Sequence, residues 1–413
     1  MKFCSAIDRS NGYVMQMLTD TDLYKFTMAQ MVLHQFPAAW TKFRFKCRNE
    51  DVDLLPFRAE IEKEIDYLCT LRFTAPELSY LAGIRFIKKD FVEFLRLFQF
   101  NRNFIKVGER NGKLDIVFEG PWLHVIMLEI PVLKIVHEVY SRNVHDVNDL
   151  DEGRKRLREK IMMFDGYVSS MNLSIPRGQV FPINDFGGRR AFTGEWHEEV
   201  TTTLYSAGVI TGTSNPMIGM LHNMPIFGTM AHEAIQAGQA LRPRLVDSQR
   251  FMLQKWADEY RGNLGIALTD TLGIDKFLVD FDMYFAKLYD GVRHDSGDPF
   301  EWGEKIIAHY KKFKIEPRTK VAVFSDGLDF EVAAKINNAF FPRIKTSFGI
   351  GTNLTNDVGY PALQNVIKMV ECNGQPVAKI SDTPSKSMCE DPEFQGYLTS
   401  VVRRDVAAHK VTR

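Results

Sequence analysis

Four segments in the second half of the chain repeat one pattern, and this pattern decides the fold. They are LGIALTDTLG (264–273), YDGVRHDSGDP (289–299), VAVFSDGLD (321–329) and IKTSFGIGTN (344–353). In each segment a short apolar run ends in small, polar and acidic residues, and a helical stretch follows. The interval between neighbouring segments suits one strand, one loop and one helix, so the pattern predicts consecutive βα units.

Three earlier segments continue the same pattern toward the N-terminus. They are FPINDFGGRR (181–190), GVITGTSN (208–215) and PIFGTMAHE (225–233). Seven βα units favour an α/β barrel, although spacing alone also allows an open parallel sheet. In either architecture ligands bind at the carboxyl ends of the strands. Because every polar cluster lies at such an end, we expect the clusters to form one ligand-binding face.

The chain on either side of these units has a different texture. Before the barrel, helical spacing is mixed with alternating runs, and Asn111-Gly112 between two such runs indicates a type I′ hairpin. Residues 141–160 are dense in mixed charge, which favours a solvated helix over a binding patch. A second hairpin signal, Asn373-Gly374, departs from the βα rhythm. The predicted organisation is an N-terminal α+β domain over 1–145, a barrel over 146–364, and a segment over 365–413 that returns to the first domain.

Composition excludes several classes of protein. The 413 residues exceed what one core usually supports, so more than one domain is expected. Lys+Arg and Asp+Glu both number 52, which argues against nucleic-acid binding but allows a locally basic pocket for small anions. Five dispersed cysteines without a CxxC pair predict reduced thiols. With no signal-peptide pattern and no apolar run of membrane-spanning length, we expect a cytoplasmic protein.

The last cluster, SFGIGTN, is a candidate phosphate site. Gly349 and Gly351 follow a predicted strand, where backbone N–H groups can approach a phosphate without a Cβ in the way. A simple tight turn would contain the same glycines. Barrel phosphate sites, however, favour the last two strands. Ser325 and Asp326 in the preceding loop suit a shared phosphate cradle.

Two further clusters contribute charged side chains. In RHDSGDP, Arg293 can bind a carboxylate or phosphate through two hydrogen bonds, and Asp295 can hold Mg²⁺ or ribose hydroxyls. A polar turn explains the same segment, with Asp298 as the N-cap of the next helix. Asp270, at another predicted strand end, suits capping as well as catalysis.

His232 lies in GTMAHE, at a predicted strand end. A zinc site of the HExxH type is excluded because Gln236 occupies the second histidine position. A lone histidine is more often structural, but the strand-end position keeps a catalytic role open. Asp185-Phe186-Gly187 matches the kinase DFG motif by accident, since the other kinase motifs are absent. Phe186 suits either the core or a face on which a flat ligand stacks.

Taken together, these clusters resemble the nicotinate phosphoribosyltransferase family. The matching segments occur in family order from residue 19 to about 386: DTDLYKFTM, DFGGRRAF, GTSN, GTMAHE, GIALTDT, GVRHDSGDP, FSDGLD, FGIGTNLTND and NVIKMVECNGQPVAKISD. Several are weak alone, but nine in order are specific. The resemblance implies the type II phosphoribosyltransferase fold, an α/β domain joined to an irregular barrel of about seven strands.

The resemblance also implies a reaction. Nicotinate would react with 5-phosphoribosyl 1-diphosphate (PRPP) to give nicotinate mononucleotide and diphosphate, a step of NAD salvage that uses Mg²⁺. Hydrolysis of ATP would be coupled through transient phosphorylation of a histidine that matches His232. Tyr24 matches an aromatic residue contributed by a partner subunit, which implies a homodimer with shared active sites.

Further roles follow from position within the matched motifs. Phe186 matches the residue that stacks on the pyridine ring, opposite Tyr24. The other matches are Arg293 and Thr229 near the nicotinate carboxylate, Arg189 and Arg48 near the ribose phosphate and diphosphate, Ser325, Asp326, Gly349, Gly351 and Thr352 in the 5′-phosphate and ribose loops, and Asp270 and Asp295 near the ribose and Mg²⁺. Two positions depart from common patterns. Gly188 replaces a larger residue of many members and predicts a looser turn, and Ser214 replaces an Asp of nicotinamide-using relatives and favours nicotinate.

Other functions are disfavoured by particular features. Ser214 and His232 argue against a nicotinamide or quinolinate phosphoribosyltransferase. A barrel lyase or aldolase needs a Schiff-base lysine at a strand end, and the clusters between 180 and 360 offer none. A non-catalytic nucleotide-binding regulator would keep the phosphate loop but would need neither His232 nor the strand-end acids.

Overall fold

Residues 4–171, 176–383 and 386–411 are described by a computed structural model. The strands within these ranges are β1 (Trp40–Cys47), β2 (Ile105–Arg110), β3 (Lys113–Pro121), β4 (Ile183–Asp185), β5 (Ile210–Thr213), β6 (Ile266–Leu268), β7 (Gly291–His294), β8 (Val321–Phe324), β9 (Lys345–Ile350), β10 (Asn365–Cys372) and β11 (Gln375–Pro376). They form two sheets of different kinds, one antiparallel and one parallel.

The helices cover both sheets and fill the connections between the parallel strands. They are α1 (Leu23–Gln35), α2 (Arg58–Leu68), α3 (Ala75–Ala82), α4 (Lys89–Leu97), α5 (Trp122–Val125), α6 (Glu129–Val144), α7 (Asp151–Ser170), α8 (Arg177–Val180), α9 (Gly194–Ser206), α10 (Pro216–His222), α11 (His232–Ala237), α12 (Ser248–Tyr260), α13 (Ile274–Asp280), α14 (Met283–Leu288), α15 (Pro299–Lys312), α16 (Phe330–Phe340), α17 (Thr352–Thr355) and α18 (Pro392–Val411). Among these helices, none is both long and apolar enough to cross a membrane.

The antiparallel sheet has the strand order β11-β10-β1-β3-β2. The turn between β2 and β3 has Asn111 at φ 53° and Gly112 at φ 74°, the left-handed pair that a type I′ hairpin requires, so this hairpin prediction is confirmed. Asn373 and Gly374 have the same conformation between β10 and β11. Because β10 pairs with β1, a C-terminal strand lies inside a sheet that begins near the N-terminus, next to its central strand.

The parallel sheet has the strand order β5-β4-β9-β8-β7-β6, and it contains six of the seven predicted units. The seventh segment, around Ile226, forms only a one-residue parallel bridge to Thr213 of β5. Pro225 has no backbone N–H, which explains why pairing does not extend in that direction. On its other side the segment reaches β6, because Thr229 Oγ1 donates a hydrogen bond to Ile266 O at 3.0 Å. The sheet therefore curls into an irregular barrel.

The mixed-charge segment lies across the end of α6 and the first half of α7. As predicted, α7 is a helix with one solvated face, and it buries Leu157 and Phe164. Some of its charges hold it to the barrel. Arg154 Nε donates to Glu199 of α9 at 2.7 Å, and Arg156 Nη1 donates to Asp357 at 2.6 Å. The helix thus fastens the connection between the two sheets.

Candidate active site

A cavity of about 370 Å³ opens where the carboxyl ends of the parallel strands meet the antiparallel sheet. Phe43 of β1 and Met369 of β10 form its wall on the side of the antiparallel sheet. The residues predicted for the site that line the cavity are Tyr24, Arg48, Phe186, Arg189, Ser214, His232, Arg293, Asp295, Ser325, Asp326, Gly349, Gly351 and Thr352. The strand-end clusters therefore form one face, as a parallel barrel requires.

Two predicted site residues do not line the cavity. The hydroxyl of Thr229 is used in closing the barrel against Ile266, which turns it away from any ligand. Asp270 is fully buried behind His232, whose Nε2 lies 2.9 Å from Asp270 Oδ1. Asp270 therefore acts on the cavity through the imidazole ring.

The histidine–aspartate pair has a defined protonation state. Asp270 Oδ2 accepts hydrogen bonds from Ser296 Oγ at 2.6 Å and from Lys379 Nζ at 2.7 Å. Burial opposes ionisation, but His232 and Lys379 hold the pKa of Asp270 well below its usual range. Burial and the Lys379 ammonium outweigh Asp270 and lower the pKa of His232 to about 4. At neutral pH a neutral ring therefore donates from Nε2 to Asp270.

The other ring nitrogen of His232 is available for chemistry. Since Nε2 carries the proton, Nδ1 carries the lone pair. Within the described chain Nδ1 makes no hydrogen bond, and the ring lines the cavity. A neutral imidazole held by a carboxylate at its far nitrogen is the arrangement of an activated nucleophile or base.

His232, Asp270 and Asp295 lie close enough together to raise the question of a metal, since their ligand atoms are all within 4.8 Å of one another. A hard divalent cation such as Mg²⁺ prefers several free oxygen ligands. Both oxygens of Asp270 are already occupied by donors, so Asp295 is the one of the two carboxylates that remains for a cation. The cluster does not fit a Mg²⁺ ion held by protein groups alone.

Three arginines line the cavity without a direct ion pair in the part of the chain that the structure describes. Arg48, Arg189 and Arg190 form no ion pair with any residue in the described ranges. Arg190 instead donates to the Asn365 carbonyl at 3.1 Å and to Gln364 Oε1 at 3.2 Å. Burial and then the charges of Arg189 and Arg48 lower the pKa of Arg190 to about 9. Like charges gathered in this way favour the binding of an anion with several charges.

Three lysines from the C-terminal part of the chain also reach the cavity, and the sequence analysis missed their role. They are Lys368, Lys379 and Lys386. Burial lowers the pKa of Lys368 to about 8, although Glu129 opposes the shift. These lysines lie outside the clusters between 180 and 360, where the sequence offers no strand-end lysine for a Schiff-base enzyme. The lysines leave that rival open on chemistry alone.

The wall for a flat ring is built around Phe186. A Cβ on Gly349 would lie 2.1 Å from Phe186 Cδ2, so the absence of a side chain at this position makes room for the aromatic ring. Arg293 also lines the cavity and forms no ion pair in the part of the chain that the structure describes. Its buried Nε has no hydrogen-bond partner there. An aromatic face with a free guanidinium on the same cavity suits a planar carboxylic acid.

Tyr24 requires a correction. The resemblance placed it in the site of a partner subunit, but the structure places it in the cavity of its own chain. The start of α1 is fixed against the end of β5, since the Leu23 N–H donates to the Ser214 carbonyl at 2.8 Å. Ser214 Oγ also donates to Asp22 Oδ1 at 2.7 Å. Each chain therefore already carries a Tyr24 at its own site, and a contribution from a partner subunit stays a prediction.

The same contact changes two expectations about the ring slot. Ser214 predicts the absence of a carboxylate from beside the ring, yet Asp22 brings one to the same place and lines the cavity. Burial raises the pKa of Asp22, against the opposing effect of the Ser214 hydroxyl. The turn at Gly188 is closely packed rather than loose, because an added Cβ would lie 3.2 Å from His197 Cε1.

Comparison with known proteins agrees with this geometry. Residues 19–137 match the nicotinate phosphoribosyltransferase N-terminal domain, and residues 181–405 match the nicotinate phosphoribosyltransferase family. Nicotinate phosphoribosyltransferase of Cupriavidus necator is 54% identical over 396 residues, covering 95% of this chain and 99% of the relative. That of Burkholderia ambifaria is 55% identical over 389 residues, covering 93% and 96%.

Solved structures agree as well. The crystal structure of nicotinate phosphoribosyltransferase from Vibrio cholerae superposes with a TM-score of 0.90 at 37% identity, covering 97% of this chain and 98% of that one. The enzyme from Porphyromonas gingivalis superposes with a TM-score of 0.86 at 30% identity, covering 94% and 100%. Because these matches cover nearly the whole chain, they decide against the Schiff-base rival that the cavity lysines left open. The chain belongs to the nicotinate phosphoribosyltransferase family.

Proposed function

We propose that this protein joins nicotinate to PRPP to give nicotinate mononucleotide and diphosphate, and that it couples the reaction to hydrolysis of ATP through phosphorylation of His232. The observation that carries the coupling is the state of His232, a neutral ring with a free Nδ1 in a cavity rich in unpaired cations. The product would enter NAD salvage.

For the transfer step, the nicotinate carboxylate binds Arg293 and the pyridine ring stacks on Phe186, with Tyr24 nearby in the same cavity. The pyridine nitrogen attacks C1 of the ribose with its own lone pair, so no general base is needed. As the diphosphate leaves, positive charge develops on the ribose and negative charge on the leaving group. Asp295 stabilises the former and the arginine and lysine side chains stabilise the latter.

For the coupling step, Nδ1 of His232 attacks the terminal phosphorus of ATP. The N–P bond forms as the bond from phosphorus to the ADP oxygen breaks, and Nε2 keeps its proton. The positive charge that this places on the ring is stabilised by Asp270 at 2.9 Å. The phosphorylated ring adds negative charge and acceptor oxygens beside Lys379, which orders the cavity for PRPP. Water later cleaves the N–P bond to release phosphate.

Mg²⁺ and the assembly state are parts of the same proposal. Because the described side chains offer no oxygen cage, Mg²⁺ is expected to enter with the phosphates of PRPP and ATP, whose oxygens it prefers. A homodimer stays a prediction from the resemblance, and Tyr24 no longer argues for it.

The decisive experiment measures mononucleotide and phosphate formation with nicotinate, PRPP, ATP and Mg²⁺, with nicotinamide as the alternative substrate. We expect ATP-dependent product with nicotinate and little with nicotinamide. His232→Ala should lose the link between ATP hydrolysis and product, while His409→Ala, an exposed histidine outside the cavity, should retain it. If His232→Ala still hydrolyses ATP in step with product formation, the phosphohistidine mechanism is wrong.

A further inference from the structure

A chain of buried hydroxyl groups lies behind Asp270, and neither of its serines has a role in the reaction described above. Ser296 Oγ donates to Asp270 Oδ2 at 2.6 Å. The oxygen of Ser296 accepts from Ser381 Oγ at 3.0 Å and from the Asp382 N–H at 3.2 Å. Both serine side chains are buried. The hydroxyl chain therefore runs from the C-terminal segment to the carboxylate that holds His232.

The hydroxyl chain has only one direction. A serine hydroxyl has one hydrogen and two acceptor lone pairs. Both lone pairs of Ser296 are occupied, so its single hydrogen must point to Asp270. Ser381 must then donate its hydrogen to Ser296, and its oxygen accepts from the Thr383 N–H at 3.3 Å. A directed network of this kind fixes the orientation of the carboxylate it reaches.

The turn that carries Ser381 is itself fixed to two barrel loops. Both carboxylate oxygens of Asp382 accept from the Ile274 N–H, at 2.9 and 3.1 Å, and the Gly297 N–H donates to Thr383 Oγ1 at 3.0 Å. Ser381 has φ 63°, a conformation that residues other than glycine rarely adopt. Such a conformation persists where the surrounding contacts determine it, and it is found most often at functional sites.

We propose that Ser296 and Ser381 are positioning residues for His232, an inference that rests on the proposed phosphorylation of that ring. Ser296, whose oxygen accepts from Ser381, occupies Oδ2 of Asp270 together with Lys379, which leaves Oδ1 for the Nε2 proton of His232. Nδ1 is then held toward the cavity. The charged groups that face the ring are Asp270, Asp295 and Lys379, and the hydroxyl chain decides how the first of them is oriented.

The first test compares three variants in single-turnover phosphorylation by radiolabelled ATP. Removing one hydrogen bond to a charged group should slow labelling by Ser296→Ala about tenfold, with KM for nicotinate and PRPP within about twofold. Ser296→Thr keeps the hydroxyl and should restore most of the rate. Ser248→Ala is the matched control, because this serine is also buried but its hydroxyl has no hydrogen-bond partner among the described residues. A slow Ser296→Thr would assign the effect to packing and overturn the proposal.

The second test does not depend on activity. In protein labelled with ¹⁵N-histidine, the His232 ring signals are assigned by their loss in His232→Asn, and their shifts report which nitrogen carries the proton. We expect the Nε2–H form in the wild type and a mixture of forms in Ser296→Ala and Ser381→Ala. An unchanged ring in both variants would overturn the positioning role. If the wild type takes up no phosphate but the ring responds in this way, the coupling fails and the positioning role stands.

Discussion

Glu233, the neighbour of His232, gives a quantitative test of the electrostatics around the cavity. Its Oε1 accepts from Lys25 Nζ at 2.7 Å, and Lys25 also pairs with Glu129 Oε2 at 2.6 Å. One lysine therefore serves two buried carboxylates, and Glu233 Oε2 has no partner within the described chain. Burial and the charge of Glu129 outweigh Lys25 and raise the pKa of Glu233 to about 7.

The sign of the effect on stability follows from this shift. A carboxyl group with a pKa of 4.5 when unfolded and about 7 when folded binds its proton more tightly in the folded protein. The stability it contributes is complete below pH 4.5 and is lost as the pH rises through 7. The rise in the pKa of Glu233 corresponds to about 3 kcal/mol of unfolding free energy. Because Glu233→Gln cannot ionise, it should match the wild type at pH 4.5 and exceed its unfolding free energy by up to about 3 kcal/mol at pH 8.

Urea unfolding followed by circular dichroism between pH 4.5 and pH 8 measures this difference. Glu129→Gln is the matched control, since Glu129 binds the same lysine. Burial opposes its ionisation, but Lys25, Lys368 and Arg189 lower the pKa of Glu129, so its charge stabilises the fold. At pH 6, where Glu233 still holds its proton, Glu129→Gln should be less stable than the wild type. If both variants shift in the same direction at pH 8, or if the gain in Glu233→Gln is independent of pH, then Glu233 does not hold its proton as described.

Three further predictions concern the reaction. Arg293→Ala should lower kcat/KM for nicotinate by roughly 10²-fold, since a charge-assisted pair contributes about 2–3 kcal/mol, while turnover of nicotinamide changes little. Protonation of the His232 ring should not limit its phosphorylation by ATP between pH 6 and pH 8, and the rate should fall only near the ring's pKa of about 4. Rapid-quench labelling measures this rate, and a midpoint near pH 6.5 would contradict the neutral buried ring. Gly349→Ala should displace Phe186 and lower kcat/KM for nicotinate about tenfold or more, whereas Asn353→Ala, at a lining residue that carries no ring contact, should change it less in the same assay.

Features that depend on neighbouring residues were predictable from the sequence. The Asn111-Gly112 turn requires two left-handed residues and has them. Asp298 caps α15 as predicted, accepting from the Phe300 and Glu301 N–H groups at 2.9 and 2.8 Å. The strand-end clusters meet because parallel strands place all their carboxyl ends at one edge. None of these inferences needs to know which distant segments touch.

Features that depend on distant contacts were not predictable in the same way. Tyr24 was assigned to a partner subunit because nothing in its own segment indicates that Leu23 donates to Ser214. The effect of Ser214 on the ring slot was inferred without Asp22, which lies 2.7 Å away in space and far away in sequence. The pKa of His232 depends on Lys379, which lies in another part of the chain. The periodicity of a sequence shows which side of a helix or strand is buried, but it does not show which distant residues that side contacts.

The cavity lysines are a different case, because a local signal for them was present. A two-residue hairpin loop pairs residues that are equally far from the turn. Cys372 pairs with Gln375 and Glu371 with Pro376 around Asn373-Gly374, and the Val377 N–H still donates to the Val370 carbonyl at 3.1 Å. Beyond that point the ladder ends, and Lys379 pairs with Met388 instead. The hairpin signal therefore predicts only that Lys368 and Lys379 lie toward the same end of its two arms, where both line the cavity with like charges that favour an anion.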